Sequence, residues 1–591
     1  MKTTTIIRRT YLAVAIAAIG AGMASPAHAF KFDLDNGISG SFDSTLSFGM
    51  QRRMQSPNKS MIGNDNGGSV PTTGELGEIV NGPGGGAASN PDFNYTNVDD
   101  GNLNYKKGDI VSAVLKGTHE LSLGERGNWA ALGRVTWSSD FAAVNTDRTP
   151  LDSSAKDALQ FDATLLDLWA SKNFQIGDNS AKFKLGNQVI NWGEDIFIFG
   201  GINTIHAFDV RKAHVPGTQV KEILIPAPMA SISTSLGGGF STEAYYQFAW
   251  NSFKLDPAGS YWSTADFLGK GGKRGAFIPS SLGGVGDYDP TQGRTLALIE
   301  AAGGLIPVER QKPDSGGQYG INLRYKPSGS DTEYAAYYIR YHDKLPFVGF
   351  RVKADGSNAF NGIVAVEQYG QDKDLFGLSA NTKFGDWAFG GEVSYRPRES
   401  VAVDPTVPIV GSKSQQQFNL AAITNNYSQP GMANGYVNEK KVQAHATAFT
   451  FLPQEVTRAL GAADGAFLAE VAMAYFPGLK LDGEIPYLLN DYSMPDKFSW
   501  GYVAEVSLTY ANVFGSGWTA TPIVDFYHDV KGVSPNTIPF VEGRKALAVG
   551  VTFDYHNQWK IGFGYSAFFG GGNLNLMRDR DIASATMSYI F

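Results

Sequence analysis

The sequence predicts an all-β fold: a transmembrane antiparallel β-barrel of about eighteen strands, sixteen being the alternative count, with long extracellular loops and one loop folded into the lumen. Three observations predict it. Apolar and polar residues alternate in segments of about ten residues, the length a tilted strand needs to cross a membrane. Short turns and long connections take turns along the chain. The chain ends on one more alternating segment whose final residue is Phe591.

The N-terminus reads as an export address. Lys2, Arg8 and Arg9 are a positive start, Tyr11 to Gly22 is an apolar run too short to span a bilayer, and Ala27 and Ala29 flank His28 in the small-x-small pattern of a signal-peptidase site. Residues 1–29 are therefore expected to be a signal peptide and 30–591 a single outer-membrane barrel domain. An uncleaved anchor helix would need a longer apolar stretch. Loss of Lys2, Arg8 and Arg9 takes the formal net charge from -8 to -11, which argues against nucleic acid as a partner. With no cysteine, stability must come from an ordinary core or a closed ladder of strands. Gly 70, Phe 37, Tyr 26 and Trp 10, without a membrane-helix run after the leader, favour the ladder.

The alternation is strict where it matters. Ile38, Gly40, Phe42, Leu46, Phe48 and Met50 interleave with Ser39, Ser41, Asp43, Thr45 and Ser47, and Tyr319, Ile321, Leu323 and Tyr325 with Gln318, Asn322, Arg324 and Lys326. Successive strand side chains point to opposite faces, so each segment has one apolar and one polar face. Trp250, Trp500, Tyr510, Trp518 and Trp559 fall at segment ends, as interfacial girdles would. Segments begin near residues 38, 110, 129, 163, 181, 229, 242, 318, 332, 374, 387, 441, 466, 499, 518, 544, 559 and 582. The segment at 163–174 alternates poorly, which leaves sixteen open.

Connections test the count. Long links at 51–109, 138–162, 191–228, 251–317, 342–373, 397–440, 476–498, 529–543 and 569–581 alternate with short turns such as Gly237-Gly238-Gly239 and Phe384-Gly385-Asp386. Link 452–465 is longer than its fellows and suits a helical turn. Short turns belong to the periplasmic side of such barrels and long loops to the extracellular side. At the C-terminus, Ala585, Met587, Tyr589 and Phe591 form an apolar face, and Met587, Tyr589 and Phe591 read as an assembly signal for the barrel assembly machinery.

Four blocks then carry a resemblance. They are Asp99-Asp100-Gly101-Asn102-Leu103-Asn104-Tyr105; Leu185 to Glu194 with Gly201-Ile202-Asn203, Asp209, Pro216-Gly217 and Lys221-Glu222; Tyr527 to Gly532 with Glu542 to Leu547; and Phe568 to Gly571 with Arg578-Asp579-Arg580-Asp581. Together they resemble a proteobacterial outer-membrane family catalogued as domain of unknown function 1302. His206-Ala207-Phe208 departs from it where a proline-containing turn is expected. The resemblance implies an outer-membrane location, contact with lipid and lipopolysaccharide, and association with a periplasmic partner and a resistance-nodulation-division type exporter.

No catalytic constellation stands out, and no enzyme is expected. His528 and Asp529 are strand neighbours on opposite faces and cannot share a proton. No cofactor is expected; Asp99-Asp100 and Asp579-Arg580-Asp581 offer oxygen ligands for a loop calcium, against the commoner reading as turn carboxylates. Arg134, Lys182, Lys184, Arg324, Lys326 and Arg396 share the inward face with Glu243, Glu392, Glu470, Glu505, Asp525 and Asp554, which implies a hydrated lumen of mixed charge.

The link 191–228 is the candidate constriction. Trp192, Ile196, Phe197, Ile198, Phe199, Ile202, Ile205 and Phe208 make it too apolar for a solvent loop. Gly193, Gly200, Gly201 and Gly217 permit bends, and Glu194, Asp209, Arg211, Lys212, Lys221 and Glu222 can pair with the wall. Trp192 and Glu194 are expected near the narrowest point, with an extracellular cap as the rival placement. The expected function is passage of small amphipathic or hydrophobic molecules, as a channel or an exporter-associated barrel. The alternatives are a plugged structural or assembly barrel without flux and, more distantly, a lipid hydrolase.

Overall fold

A computed structural model of the chain describes residues 30–34, 37–70, 93–275, 288–289, 293–295, 298, 306–352, 363–403, 432–481, 485, 487, 489–491 and 493–591. The signal residues, Ala27 and Ala29 included, lie outside them. The barrel begins with β1 (Ile38–Arg53), β2 (Ile110–Glu125), β3 (Trp129–Asp140), β4 (Asp162–Ile176), β5 (Asn179–Gln188) and β6 (Ala227–Gly237). It continues with β7 (Phe240–Gln247), β8 (Gln318–Tyr325), β9 (Glu333–Tyr341), β10 (Lys373–Phe384), β11 (Trp387–Ala402) and β12 (Tyr436–Phe451). It ends with β13 (Asp464–Tyr475), β14 (Phe498–Val513), β15 (Trp518–Lys531), β16 (Lys545–Tyr555), β17 (Trp559–Phe569) and β18 (Ile582–Ile590).

Each strand pairs antiparallel with the next, and β18 returns to β1 from Thr45↔Ile590 to Arg53↔Ile582, so all eighteen close into a ring. Closure removes the sheet edges that a membrane would leave unpaired. The seam ends where Ser44 and Phe591 exchange backbone hydrogen bonds of 2.8 and 2.9 Å. Below it the short strand Phe30–Asp33 takes over the same edge of β1. The count of eighteen holds, and each strand starts within a few residues of the position read from alternation, the largest difference being at β12.

Side chains obey the two-face rule. In β1, Phe42, Leu46, Phe48 and Met50 are exposed on the outside while Ser47, Gln51 and Arg53 are buried inside. The poor alternation of β4 has a local cause. Val135 pairs with Leu165 and Gly133 with Leu168, so three steps on β4 face two on β3. This bulge puts both Leu165 and Leu168 outside, 51% and 56% exposed, and turns Asp167 inward. The link 452–465 holds the helix Gln454–Ala459. Among the described residues no helix is long and apolar enough to cross a membrane.

Trp129, Trp387, Trp518 and Trp559 each open a strand directly after a short turn, forming a girdle on that side. Trp250 is a correction to the girdle reading. Its indole donates to Asp343 O at 3.1 Å and packs on Tyr369, so it belongs to the long-loop assembly, where its N–H finds a carbonyl.

The long loops also build structure that periodicity did not reveal. Arg274–Gly275, Ile306–Arg310, Ile363–Gln368, Phe347–Val352 and Met432–Ala433 pair into a separate five-stranded sheet. Ile363, Val364, Ala365 and Val366 are wholly buried there, next to a core holding Tyr95, Phe267 and Phe350. Strands of two to six residues are too short to show a period of two.

Candidate functional site

The chain between β5 and β6 crosses the inside of the barrel. It carries two short helices, Val210–Ala213 and Val220–Ile223, and a two-residue ladder of Ala207–Phe208 with Leu224–Ile225. That ladder occupies the place where the sequence departs from the family's proline turn. Beside it His206 Nε2 accepts from Ile190 N at 2.8 Å, so the neutral ring carries its proton on Nδ1. Burial pushes His206 down to about 3, which keeps the ring neutral.

The outgoing half is fastened to one side of the wall. Trp192 is buried against Tyr245 and Tyr337, at ring centroid distances of 5.3 and 5.8 Å, and donates to Glu243 Oε2 at 2.8 Å. It is thus an anchor within the wall packing, joined there by Ile202 and Ile205. Glu194 accepts from Asn381 Nδ2 at 3.0 Å and Ser379 Oγ at 3.3 Å on β10, neutral partners at a half-buried carboxylate.

Two wall carboxylates hold the backbone itself. Glu392 on β11 accepts from Glu194 N at 2.5 Å and Ile202 N at 2.7 Å. Glu470 on β13 accepts from Phe197 N, from Ile198 N at 3.0 Å and from Ile196 N at 3.3 Å, and pairs with His445 Nδ1 at 2.6 Å. Amide donors aimed at a buried carboxylate satisfy a charge that burial would otherwise penalise. Gln443 and Arg396 add bonds to the carbonyls of Phe199 and Gly201, at 2.7 and 2.6 Å. Glycine is required here: at Gly193, φ is +95° and a Cβ would lie 2.4 Å from Glu392 Oε2. Asp195 is half-buried in the same place, with its Oδ1 shut off from solvent; desolvation first, then the charges of Glu392 and Glu470, raise its pKa well above the usual range.

The returning half is fastened to the opposite wall. Asp209 caps the helix Val210–Ala213, pairs with Arg211 at 2.9 Å and lies 3.5 Å from Lys254. Burial alone would raise Asp209, but Arg211 outweighs it and holds the carboxyl down to about 2. Arg211 reaches Asp162 on β4 at 3.4 Å, and Lys221 reaches Glu120 on β2 at 3.7 Å. Glu222 accepts from Lys116 Nζ at 2.7 Å and Thr118 Oγ1 at 2.9 Å, and Gln51 donates to His214 O at 2.9 Å.

Several of the candidates therefore meet: Trp192, Glu194, Asp209, Arg211, Lys221 and Glu222 on the segment, with Glu392 and Arg396 on the wall. Lys182, Lys184 and Arg324 do not join them. Lys184 lies 4.1 Å over the Trp169 ring, Arg324 pairs with Glu333 at 3.5 Å, and Lys182 is exposed near the turn 177–178. Lys116, Glu120, Gln443 and Asn381 were missed as partners. Their inward phase was readable, but which inward residues the segment meets depends on barrel closure.

The first and fourth sequence blocks also meet. Arg53 donates to Asn102 O at 3.0 Å and Tyr105 O at 2.7 Å and lies 3.4 Å from Asp579. Asp99 accepts from Gly63 N at 2.8 Å, Asp100 from Thr149 Oγ1 at 2.6 Å, and Asp581 from Phe568 N at 2.9 Å. These acids tie loops together, and among the described residues no three His, Cys, Asp or Glu cluster as metal ligands.

Above the outgoing half lies a cavity of about 130 Å³. Phe199, Phe208 and Phe253 pack on one another along it, with centroids 4.4, 5.2 and 6.1 Å apart. Lys344, Arg396, Lys441, Asp343 and Glu399 supply its polar lining.

Fold and site define a closed, membrane-spanning β-barrel whose interior is crossed by a fastened segment. The chain belongs to the family described as "Protein of unknown function (DUF1302)", whose model matches residues 10–591. No curated protein matches the sequence. Among solved structures, Acinetobacter baumannii OccAB3 is similar at 9% identity over 93% of this chain and 99% of that chain, with a TM-score of 0.41. A BenF-like porin from Pseudomonas fluorescens Pf-5 gives 8% identity, 93% and 98% coverage and 0.39. Pseudomonas aeruginosa OpdK with vanillate gives 9%, 93% and 98%, and 0.36.

Proposed function

We propose that the protein is an outer-membrane channel for small amphipathic or hydrophobic molecules, with residues 191–228 as its constriction. One observation carries the reading: the segment crosses the lumen and is held on both walls by hydrogen bonds and ion pairs, Glu392 and Glu470 on one side and Lys116 on the other. Polar fastenings of this kind can be exchanged for a ligand or water without unfolding the closed ladder around them. Export through the signal peptide, insertion by the barrel assembly machinery among lipid and lipopolysaccharide, and association with a periplasmic partner and an exporter complete the proposal.

Planar-bilayer recording tests it. Replacing 195–215 with a short Gly-Ser bridge raises single-channel conductance, and Glu194→Gln changes ion selectivity. Unchanged conductance and selectivity in variants that keep the folded barrel's mobility in cold SDS would select a plugged structural barrel instead.

A further inference from the structure

The cavity above the segment has a chemistry of its own. Phe199, Phe208 and Phe253 give it an aromatic floor, extended by Phe347 and Phe476. Its volume of about 130 Å³ approaches that of an engineered apolar cavity of roughly 150 Å³ that holds a benzene ring. The polar lining is unevenly matched. Arg396 is fully engaged, by Tyr341 at 3.2 Å, Ser394 at 3.1 Å and Gly201 at 2.6 Å. Lys441 faces Glu399 at 3.0 Å.

Lys344 differs. It is 7% exposed, and its ammonium donates only to the neutral Gln318 Oε1, at 2.6 Å. Among the described residues no carboxylate lies within salt-bridge distance of it. Gln318 Nε2 next to it is buried without an acceptor, and Thr204 Oγ1, on the cavity lining, is buried without any partner. A buried ammonium with spare donors around it calls for an anionic acceptor; Asp343 Oδ2, on the same lining, is also buried without a partner and is the competing polar group.

We propose that this cavity binds a small amphipathic anion, an apolar ring carrying one carboxylate, with the ring on Phe199, Phe208 and Phe253 and the carboxylate toward Lys344 and Thr204. The ligand would bridge the segment, which supplies Phe199, Thr204 and Phe208, to two long loops, the β7–β8 connection that supplies Phe253 and the β9–β10 connection that supplies Lys344, joined where Phe253 N donates to Lys344 O at 2.9 Å. The inference deepens the channel reading and rests on it only for its role in passage.

Calorimetric titration of the full-length barrel in detergent at pH 6.5 tests it, with benzoate, benzylamine and benzyl alcohol as probes of one shape and three charges. Benzoate binds at least tenfold tighter than either of the others, and Lys344→Met removes that preference. Equal or tighter binding of benzylamine, which would make Asp343 and Glu399 the recognition groups, overturns the proposal, as does binding of none of the three. The wild-type comparison decides even where Lys344→Met does not fold, and Thr204→Val, which weakens benzoate alone, gives a second check. Benzoate preference with conductance unchanged by removal of 195–215 keeps the cavity and rejects the channel. Raised conductance without benzoate preference does the reverse.

Discussion

Lys116 on the wall and Glu222 on the crossing segment meet at 2.7 Å, with side chains 5% and 1% exposed. A buried pair of this kind contributes little over an apolar pair, yet losing one member strands the other. Lys116→Met or Glu222→Gln alone should each destabilise the folded barrel by about 3–5 kcal/mol. The double variant should cost clearly less than the sum, measured as a double-mutant cycle on denaturant unfolding in detergent. Additive costs would mean that the two side chains act independently.

Gly193 should not tolerate a side chain. At φ +95° an alanine is strained, and its Cβ would meet Glu392 Oε2 at 2.4 Å, within the carboxylate that holds Glu194 N and Ile202 N. Gly193→Ala is expected to release the segment while leaving the wall closed. Chymotrypsin should then cut after Phe197 and Phe199, on the outgoing half, many times faster than in the wild type, with cold-SDS mobility unaltered. Equal cleavage would place the fastening elsewhere.

Lys344 should contribute a rise of stability with pH above neutrality. Burial pushes the Lys344 ammonium from 10.5 down to about 7. Between those values the unfolded chain holds the proton that the folded one has shed, so stability increases with pH across that window and is flat in this respect below it. The slope approaches about 1.4 kcal/mol per pH unit. Of the other groups lining the cavity, Asp343 is pushed up to about 6 and His206 down to about 3, both below the window, while Glu399, Arg396 and Lys441 face one another. Unfolding measured from pH 7 to 9 should show a wild-type slope steeper than that of Lys344→Met by about this amount, the remainder coming from other buried lysines such as Lys212, pushed down to about 8; parallel profiles would refute the assignment.

The C-terminal face should govern insertion. Tyr589 packs on Trp559 at 4.6 Å and on Phe591 at 5.6 Å, and Met587 and Phe591 are exposed on the outside of the closing strand. Replacing Tyr589 and Phe591 with Ser should leave precursor processing intact and block appearance in the outer membrane, read by fractionation and surface labelling. Normal surface levels would show that these rings serve packing alone.

The wall was legible in the sequence because a strand in a barrel is a local object. Its period of two appears in Phe42, Leu46, Phe48 and Met50, and its end is marked by a turn such as Gly237-Gly238-Gly239. The apolar weight of 191–228 was legible for the same reason: Trp192, Phe197, Ile202 and Phe208 demand burial whatever surrounds them. The bulge at Leu165–Leu168 and the loop sheet around Ile363–Val366 were not, since a bulge breaks the period and six-residue strands barely express it.

What only the tertiary structure decided is which inward residue meets which part of the segment. The sequence alone determined that Glu392 and Glu470 face inward, by their phase in the strand. That Glu222 reaches Lys116, while the amides of Ile198 and Ile202 reach Glu470 and Glu392, depends on the return of β18 to β1, which brings strands hundreds of residues apart around one interior. Buried charge then selects among those inward residues, because each carboxylate taken from water must find donors, and the crossing backbone and Lys116 supply them.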